Sequence, residues 1–214
     1  SILSVSSILT IEISDDITIG IPDNCFSNAI NLTDVIIGNN VTSIGAASFS
    51  NCIGLTNITI PNKVKTIDSY AFSGCSNLSN VAFGTALETI NSFAFYNCAS
   101  LTNILIPNSV TNIGSYSFYK CPKINSISIG NNVSFIGEYA FSETIITSIN
   151  IPNSVLTISN FAFANCLNIL TVIIPDSVTI IGDYAFYCCN NLSAITIGLG
   201  VTSIGAYAFY NCPL

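Results

Sequence analysis

The chain has 214 residues and a net charge of −7, from four Lys and eleven Asp or Glu; half of it is hydrophobic, and it contains no His, Arg, Met, Trp or Gln. Charged residues make up 7% of it, against about 25% in an ordinary soluble domain. The usual general base and the usual phosphate fork are therefore missing, and four cations are too few to displace counterions from a nucleic acid or to hold an anionic membrane surface.

A mean hydropathy of +0.65 points toward a membrane. No apolar run, however, approaches the 18 or so residues that a spanning helix needs. Ser, Thr, Asn or Gly interrupts every run, so no direct membrane insertion is expected from this segment. Ser1 does not open a basic-then-apolar leader. The start without Met reads as a processed form or a fragment.

At the N-terminus, Ile8, Ile11, Ile13, Ile17 and Ile19 alternate as strand residues do, but out of phase with everything that follows. Residues 1–20 read either as a degenerate first rung or as a cap. Asp15 and Asp16 read as a solvated turn; the spacing of a calcium loop is absent.

From residue 21 onward the chain repeats. Phe26, Phe49, Phe72, Phe95, Phe118, Phe141, Phe163, Phe186 and Phe209 lie 23 residues apart, with one step of 22 between Phe141 and Phe163. Cys98, Leu101, Ile104, Ile106, Pro107, Val110, Ile113 and Gly114 recur in phase as Cys166, Ile169, Val172, Ile174, Pro175, Val178, Ile181 and Gly182. Residues 21–214 are thus about eight 23-residue repeats of one solenoid domain spanning 1–214. A single unit cannot bury its own apolar face, but stacked units bury it against each other.

Within a unit, residues 101–106 alternate and are rich in β-branched side chains, which predicts a short strand. Pro107 and Asn108 make a turn. Val110 and Ile113 form a second apolar stretch, and Gly114 bends the chain. Residues 115–121 fit a short helical or irregular turn with Phe118 inward. One strand per coil gives a parallel sheet. At the strand end Pro and Gly nearly alternate, as Gly38, Pro61, Gly84, Pro107, Gly130, Pro152, Pro175 and Gly198. That is either a turn site tolerating both or a 46-residue double unit. The last unit stops early, at Asn211-Cys212-Pro213-Leu214, so either a further segment follows or the end packs on a partner.

The unit L-x-x-I-x-I-P-x-S-V-x-x-I-G-x-x-A-F-x-x-C, seen in residues 55–75 and 101–121, closely resembles the BspA-type leucine-rich repeat. The resemblance implies a repeat solenoid: a leucine-rich-repeat horseshoe with a parallel β-sheet on the concave face and short helical or irregular turns on the convex face. Members of that family occur in bacteria and parasitic protists, often as cell-surface proteins linked to adhesion. The heavy use of Ile, Asn and Ser would suit an AT-rich protist genome. The family supplies no catalytic residues.

Seven cysteines, Cys52, Cys75, Cys98, Cys121, Cys166, Cys189 and Cys212, lie three residues after a repeat Phe, with Ala29 and Thr144 in the same slot. The slot reads as a ladder of small hydrophobes. An odd count without paired spacing argues against a disulfide framework, and no metal or other cofactor is expected. Cys188, out of phase, reads as incidental. Glu138 and Asp183 share a slot two rungs apart with no catalytic partner, so catalysis is not expected. Tyr70, Tyr116, Tyr139, Tyr184 and Tyr207, each two residues before a repeat Phe, form an aromatic stripe, read as packing or as an adhesive surface. Lys63, Lys65, Lys120 and Lys123 are too few for a basic patch. Sequons occur at Asn31, Asn40, Asn57, Asn77, Asn132 and Asn191, usable only on a secreted chain.

The concave face is the expected binding surface. Its outward strand positions are Asp34 and Ile36, Asn57 and Thr59, Asn80 and Ala82, Asn103 and Leu105. They continue as Ser126 and Ser128, Ser148 and Asn150, Thr171 and Ile173, Ala194 and Thr196. This neutral face lacks charge steering and would recognise a protein partner by shape and neutral hydrogen bonds. The function expected is a non-catalytic protein-interaction module, cell-surface or secreted and of adhesion type. The residues do not identify the protein partner; a host or matrix protein or a larger assembly would fit. The alternatives are a structural protein docked in a larger, intracellular assembly and a regulatory repeat domain of a larger enzyme.

Overall fold

The computed structural model describes residues 9–214; Ile8 lies outside the described residues. The chain winds as a parallel-strand β-solenoid of about eight turns. Its strands are numbered in chain order: β1 (Thr10–Ile13), β2 (Asp34–Ile37), β3 (Ser43–Ile44), β4 (Asn57–Thr59), β5 (Thr66–Ile67), β6 (Asn80–Ala82), β7 (Thr89–Ile90), β8 (Asn103–Leu105) and β9 (Asn112–Ile113). They continue as β10 (Ser126–Ser128), β11 (Phe135–Ile136), β12 (Ser148–Asn150), β13 (Thr157–Ile158), β14 (Thr171–Ile174), β15 (Ile180–Ile181), β16 (Ala194–Ile197) and β17 (Ser203–Ile204).

Two strands per coil create two sheets. The first, predicted from the L-x-x-I-x-I stretch, contains β1 and the even-numbered strands. In β8 the burial runs exposed, buried, exposed, so Ile104 enters the core while Asn103 and Leu105 face out. This is the period-two signature of a half-buried strand. The second sheet was not expected from sequence. Its two-residue strands run unbroken from β3 to β17, eight in all; from β3 to β15 each places one isoleucine of the second apolar stretch in the core, while Ile204 of β17 is half exposed at the end of the stack. Pairing follows the repeat, Ser43 on Thr66 and Ile44 on Ile67.

The return segment contains no helix among the described residues; it is a run of tight turns. The N–H of Ala94 reaches the carbonyl of Asn91 at 3.3 Å, and that of Cys98 reaches Phe95 at 3.3 Å. The third residue of each turn has positive φ, 60° at Phe93 and 55° at Asn97, as a type II turn demands. The repeat phenylalanines point inward as expected and stack ring on ring; Phe95 and Phe118 are 5.2 Å apart and 2° from parallel. From Phe49 to Phe186 they are fully buried.

Residues 10–13 pair in register with β2, Thr10 on Asp34. This part of the N-terminal segment therefore forms a rung, and its 24-residue offset is why it falls out of phase. The strand-end alternation also has a structural counterpart. The first sheet is divided into β1–β2, β4–β6, β8–β10 and β12–β14–β16. Each break falls where a Pro coil follows a Gly coil. The N–H of Gly198 donates to the carbonyl of Ile174 at 2.9 Å, a bond that a proline in that slot cannot make. β12 and β14 stay paired although both coils carry Pro.

Candidate interaction surface

Every outward first-sheet position, from Asp34 to Thr196, is solvent-exposed. Neighbouring coils bring these side chains into two files, with Asn57 over Asn80 and Ser126 over Asn103. Asp34 is the only charged side chain from β2 to β16 in the two files, and it accepts the Thr33 hydroxyl at 2.7 Å; Glu12 of β1 extends one file beside Ile36. The apolar members are unequally placed: Ile36, Leu105 and Ile173 are 58%, 69% and 65% exposed. The surface is thus a neutral hydrogen-bonding field carrying three isolated aliphatic contacts.

The cysteine slot is more specific than a small hydrophobic position. Each thiol in it donates to the carbonyl of the Phe one coil back: Cys75 to Phe49 at 3.1 Å, Cys98 to Phe72 at 3.1 Å and Cys121 to Phe95 at 3.2 Å. Each of these carbonyls is a turn acceptor facing the next coil, and the thiol gives it a second donor without adding bulk. In the short unit Thr144 turns its hydroxyl onto its own Phe141 carbonyl at 2.9 Å and lies 3.3 Å from the Cys166 sulfur. All nine cysteines are free thiols. Burial pushes the Cys52 and Cys166 thiols up to about 11 and Cys121 up to about 12, the bonds they take part in only partly offsetting it. The buried rungs from Cys75 to Cys189 are inert at neutral pH, whereas at the open end the bond with Cys189 lowers the partly exposed Cys212 thiol.

The aromatic stripe is longer than the tyrosines alone show. Tyr70, Phe93, Tyr116, Tyr139, Phe161, Tyr184 and Tyr207 form one column, with centroids 4.6 Å apart at Tyr70–Phe93 and 4.5 Å at Tyr139–Phe161. Sequence reasoning missed Phe93 and Phe161 because it followed tyrosine rather than the slot. All seven residues have positive φ, which costs an L-residue roughly 1–2 kcal/mol. Stacking, about 0.5–1.5 kcal/mol per pair, offsets that cost.

The two carboxylates of the shared slot behave differently. Asp183 caps a turn, its Oδ1 accepting the Ala206 N–H at 2.7 Å. No hydrogen bond or ion pair reaches the carboxylate of Glu138 among the described residues. Its charge contributes, after burial, to raising the Tyr116 phenol, and after burial and Tyr116 itself, to raising that of Tyr139. Among the described residues no three potential ligands gather for a metal. Asp15 caps the Asn39 N–H, and Asp16 accepts the Ser14 hydroxyl at 3.2 Å, so both act as turn residues.

Lys65 pairs with exposed Glu88 at 2.9 Å, and Lys63 donates to Asn40 at 2.6 Å. Asn57 lies inside β4, whereas Asn77, Asn132 and Asn191 are exposed outside strands. No helix of the described residues is long and apolar enough to cross a membrane.

Comparison with known proteins agrees with this geometry. The chain is similar in structure to a leucine-rich repeat protein from Bacteroides ovatus ATCC 8483, with a TM-score of 0.65 and 25% identity over 95% of this chain. It spans 64% of that protein's length. It is also similar to the leucine-rich repeat protein of T. pallidum (TpLRR), with a TM-score of 0.60 and 24% identity over 95% of this chain and 82% of the other. No functionally curated protein matches the sequence. The family model of the BspA type leucine rich repeat region matches residues 3–125 and 111–214, in six copies. The chain therefore belongs to the BspA-type leucine-rich repeat family.

Proposed function

We propose that this chain is a non-catalytic interaction module of a cell-surface or secreted adhesion protein, holding a protein partner on the outward face of the first sheet. That sheet is the one the family resemblance assigns to the concave side of a horseshoe. The observation that carries the reading is the exposure of every outward position on a nearly uncharged face, with Ile36, Leu105 and Ile173 standing clear of it. Aliphatic side chains that protrude from a polar field are where a partner gains contact area at little desolvation cost. The partner is a host or matrix protein with a neutral surface, because ionic contacts are scarce here.

The test is attachment of protein-coated beads to a laminin layer and to epithelial monolayers, in 0.15 M and 0.5 M salt. The Leu105→Asp, Ile173→Asp double variant keeps its fold, since both side chains are exposed, and should lose attachment. Attachment by the native protein should survive the higher salt, because little of it is Coulombic. Equal attachment by native and variant proteins would sink the proposal.

A further inference from the structure

A second surface is marked out independently of the first sheet. The outward residues of the second sheet are Ser, Thr or Asn in most coils, but Phe135 and Ile180 interrupt that stripe. Their side chains are 38% and 44% exposed. They form the two walls of a groove of about 320 Å³, with Thr157 between them and Ser115, Glu138 and Asn160 also lining it.

Glu138 is the unusual member. Of the eleven carboxylates, nine have a partner within the chain. Asp15, Asp23, Asp176 and Asp183 accept backbone N–H groups of the next coil. Asp16, Asp34, Asp68 and Glu143 accept side-chain donors, and Glu88 pairs with Lys65. Only Glu12 and Glu138 have none among the described residues. Glu12 lines a hollow beside Ile13, Ile36 and Ile37 that it shares with the Asp15 carboxylate, whereas Glu138 is the single carboxylate of its groove. The four lysines lie elsewhere; none of them lines it.

We propose that this groove receives a basic side chain, Arg or Lys, projected by an extended segment of a partner protein. The alkyl stem would lie between Phe135 and Ile180, and the cationic head would meet the Glu138 carboxylate. A long basic side chain matches an apolar slot ending in a lone carboxylate because its stem and head differ in polarity. An ion pair partly screened from water by such walls is stronger than one on an open surface. The ammonium or guanidinium also supplies the donor that Glu138 lacks. The Asn160 Oδ1 and Ser115 Oγ already accept the Asp183 and Glu138 N–H groups, which leaves the Asn160 amide and Ser115 hydroxyl as donors to carbonyls of the incoming segment. This site does not depend on the first-sheet reading, and each can fail alone.

The experiment uses the whole chain, labelled with ¹⁵N, titrated with the peptide acetyl-Ser-Val-Arg-Val-Ser-amide while amide shifts are followed. Saturable shifts at Phe135, Glu138 and Asn160, without shifts at Leu105 or Ile173, are the expected result. The citrulline analogue, equal in shape and uncharged, should bind at least about tenfold more weakly, as loss of a charged hydrogen bond requires. Glu138→Gln should weaken the Arg peptide by a similar factor, and Phe135→Ser should weaken both peptides; both side chains are partly exposed, so the fold persists. The proposal is overturned if the Arg peptide leaves these amides unmoved, or if the citrulline peptide binds equally. It also fails if Glu138→Gln changes nothing, or if free arginine amide binds as well as the peptide, which would make the groove a small-cation site.

Discussion

A β-carbon on Gly130 would stand 2.2 Å from the carbonyl oxygen of Pro107, one coil below. The same relation holds for Gly84 over Pro61, at 2.3 Å. The near-alternation of Pro and Gly thus reflects contact between coils: a coil that follows Pro through a paired strand end has, in these cases, no room for a side chain. Gly130→Ala should lower stability by about 1–3 kcal/mol, the usual range for an overpacked site. The exposed neighbour Ser128→Ala should change it by less than about 0.5 kcal/mol. Urea unfolding followed by circular dichroism distinguishes the two.

Ser117 should show the opposite sign. Its hydroxyl is buried without a partner, in the slot just before the repeat Phe that other coils fill with Ala71, Ala94, Ala140 and Ala185. Ser117→Ala removes an unsatisfied polar atom, and the protein should gain about 1 kcal/mol. A lower urea midpoint for the variant would refute this.

The aromatic column makes a prediction about backbone rather than side chain. Tyr116 has φ of 59°, and its ring stacks on Phe93 at 4.6 Å and on Tyr139 at 4.8 Å. Tyr116→Ala loses the ring and keeps the strain; Tyr116→Gly loses the ring and relieves the strain. The glycine variant should be the more stable of the two by about 1 kcal/mol. The reverse order in thermal melts would show that the ring alone matters.

Thiol chemistry gives a pH dependence with a definite sign. Folding raises the Cys52 and Cys166 thiols to about 11, whereas an unfolded thiol titrates near 8.5. Above that value the unfolded chain sheds protons that the folded chain keeps, so stability falls as pH rises. Stability should be flat from pH 6 to 8 in these groups, decline from about pH 9, and keep declining through about pH 11. Cys52→Ala with Cys166→Ala should make the decline shallower, the remainder coming from the other buried thiols, Cys75, Cys98, Cys121 and Cys189, which are also raised. At pH 8 a thiol reagent should modify Cys25 first, because it is exposed. Cys188 and Cys212 should follow, and the buried thiols only after unfolding.

Much of this architecture could be read from the sequence because the repeat is strict. Phe118, Cys121 and Ile104 announce an interior by recurring, and the same recurrence gave the first sheet and its outward positions. The second sheet was missed because its strands are only two residues long, and Asn112 with Ile113 is too short to show alternation. The turn form of the return segment could not be told from a helical one, since Tyr116 at positive φ is an unusual choice that composition does not flag, and Asn97, a common one, serves helix ends as well as turns. The thiol-to-carbonyl ladder needed coordinates: sequence fixes the slot of Cys98 but not the direction of its S–H. Glu138 and Asp183 looked equivalent by slot. Only their hydrogen bonds separate a turn cap from an unpartnered carboxylate.

The two sheets differ in continuity, and that gives the molecule unequal resistance along its length. The second sheet binds every coil to the next, while the first binds coils in blocks of two and, once, three. Stretched from its ends, such a rod should yield at the seams between blocks, where two rows of bonds must break rather than three: the second sheet and the return-segment bonds, such as Phe49 N–H to the Ala71 carbonyl at 2.8 Å. Each two-coil block would release about 150 Å of extended chain. Force-extension traces should then show this increment and, for the three-coil block, one half as long again, so that a tethered chain would yield stepwise under load.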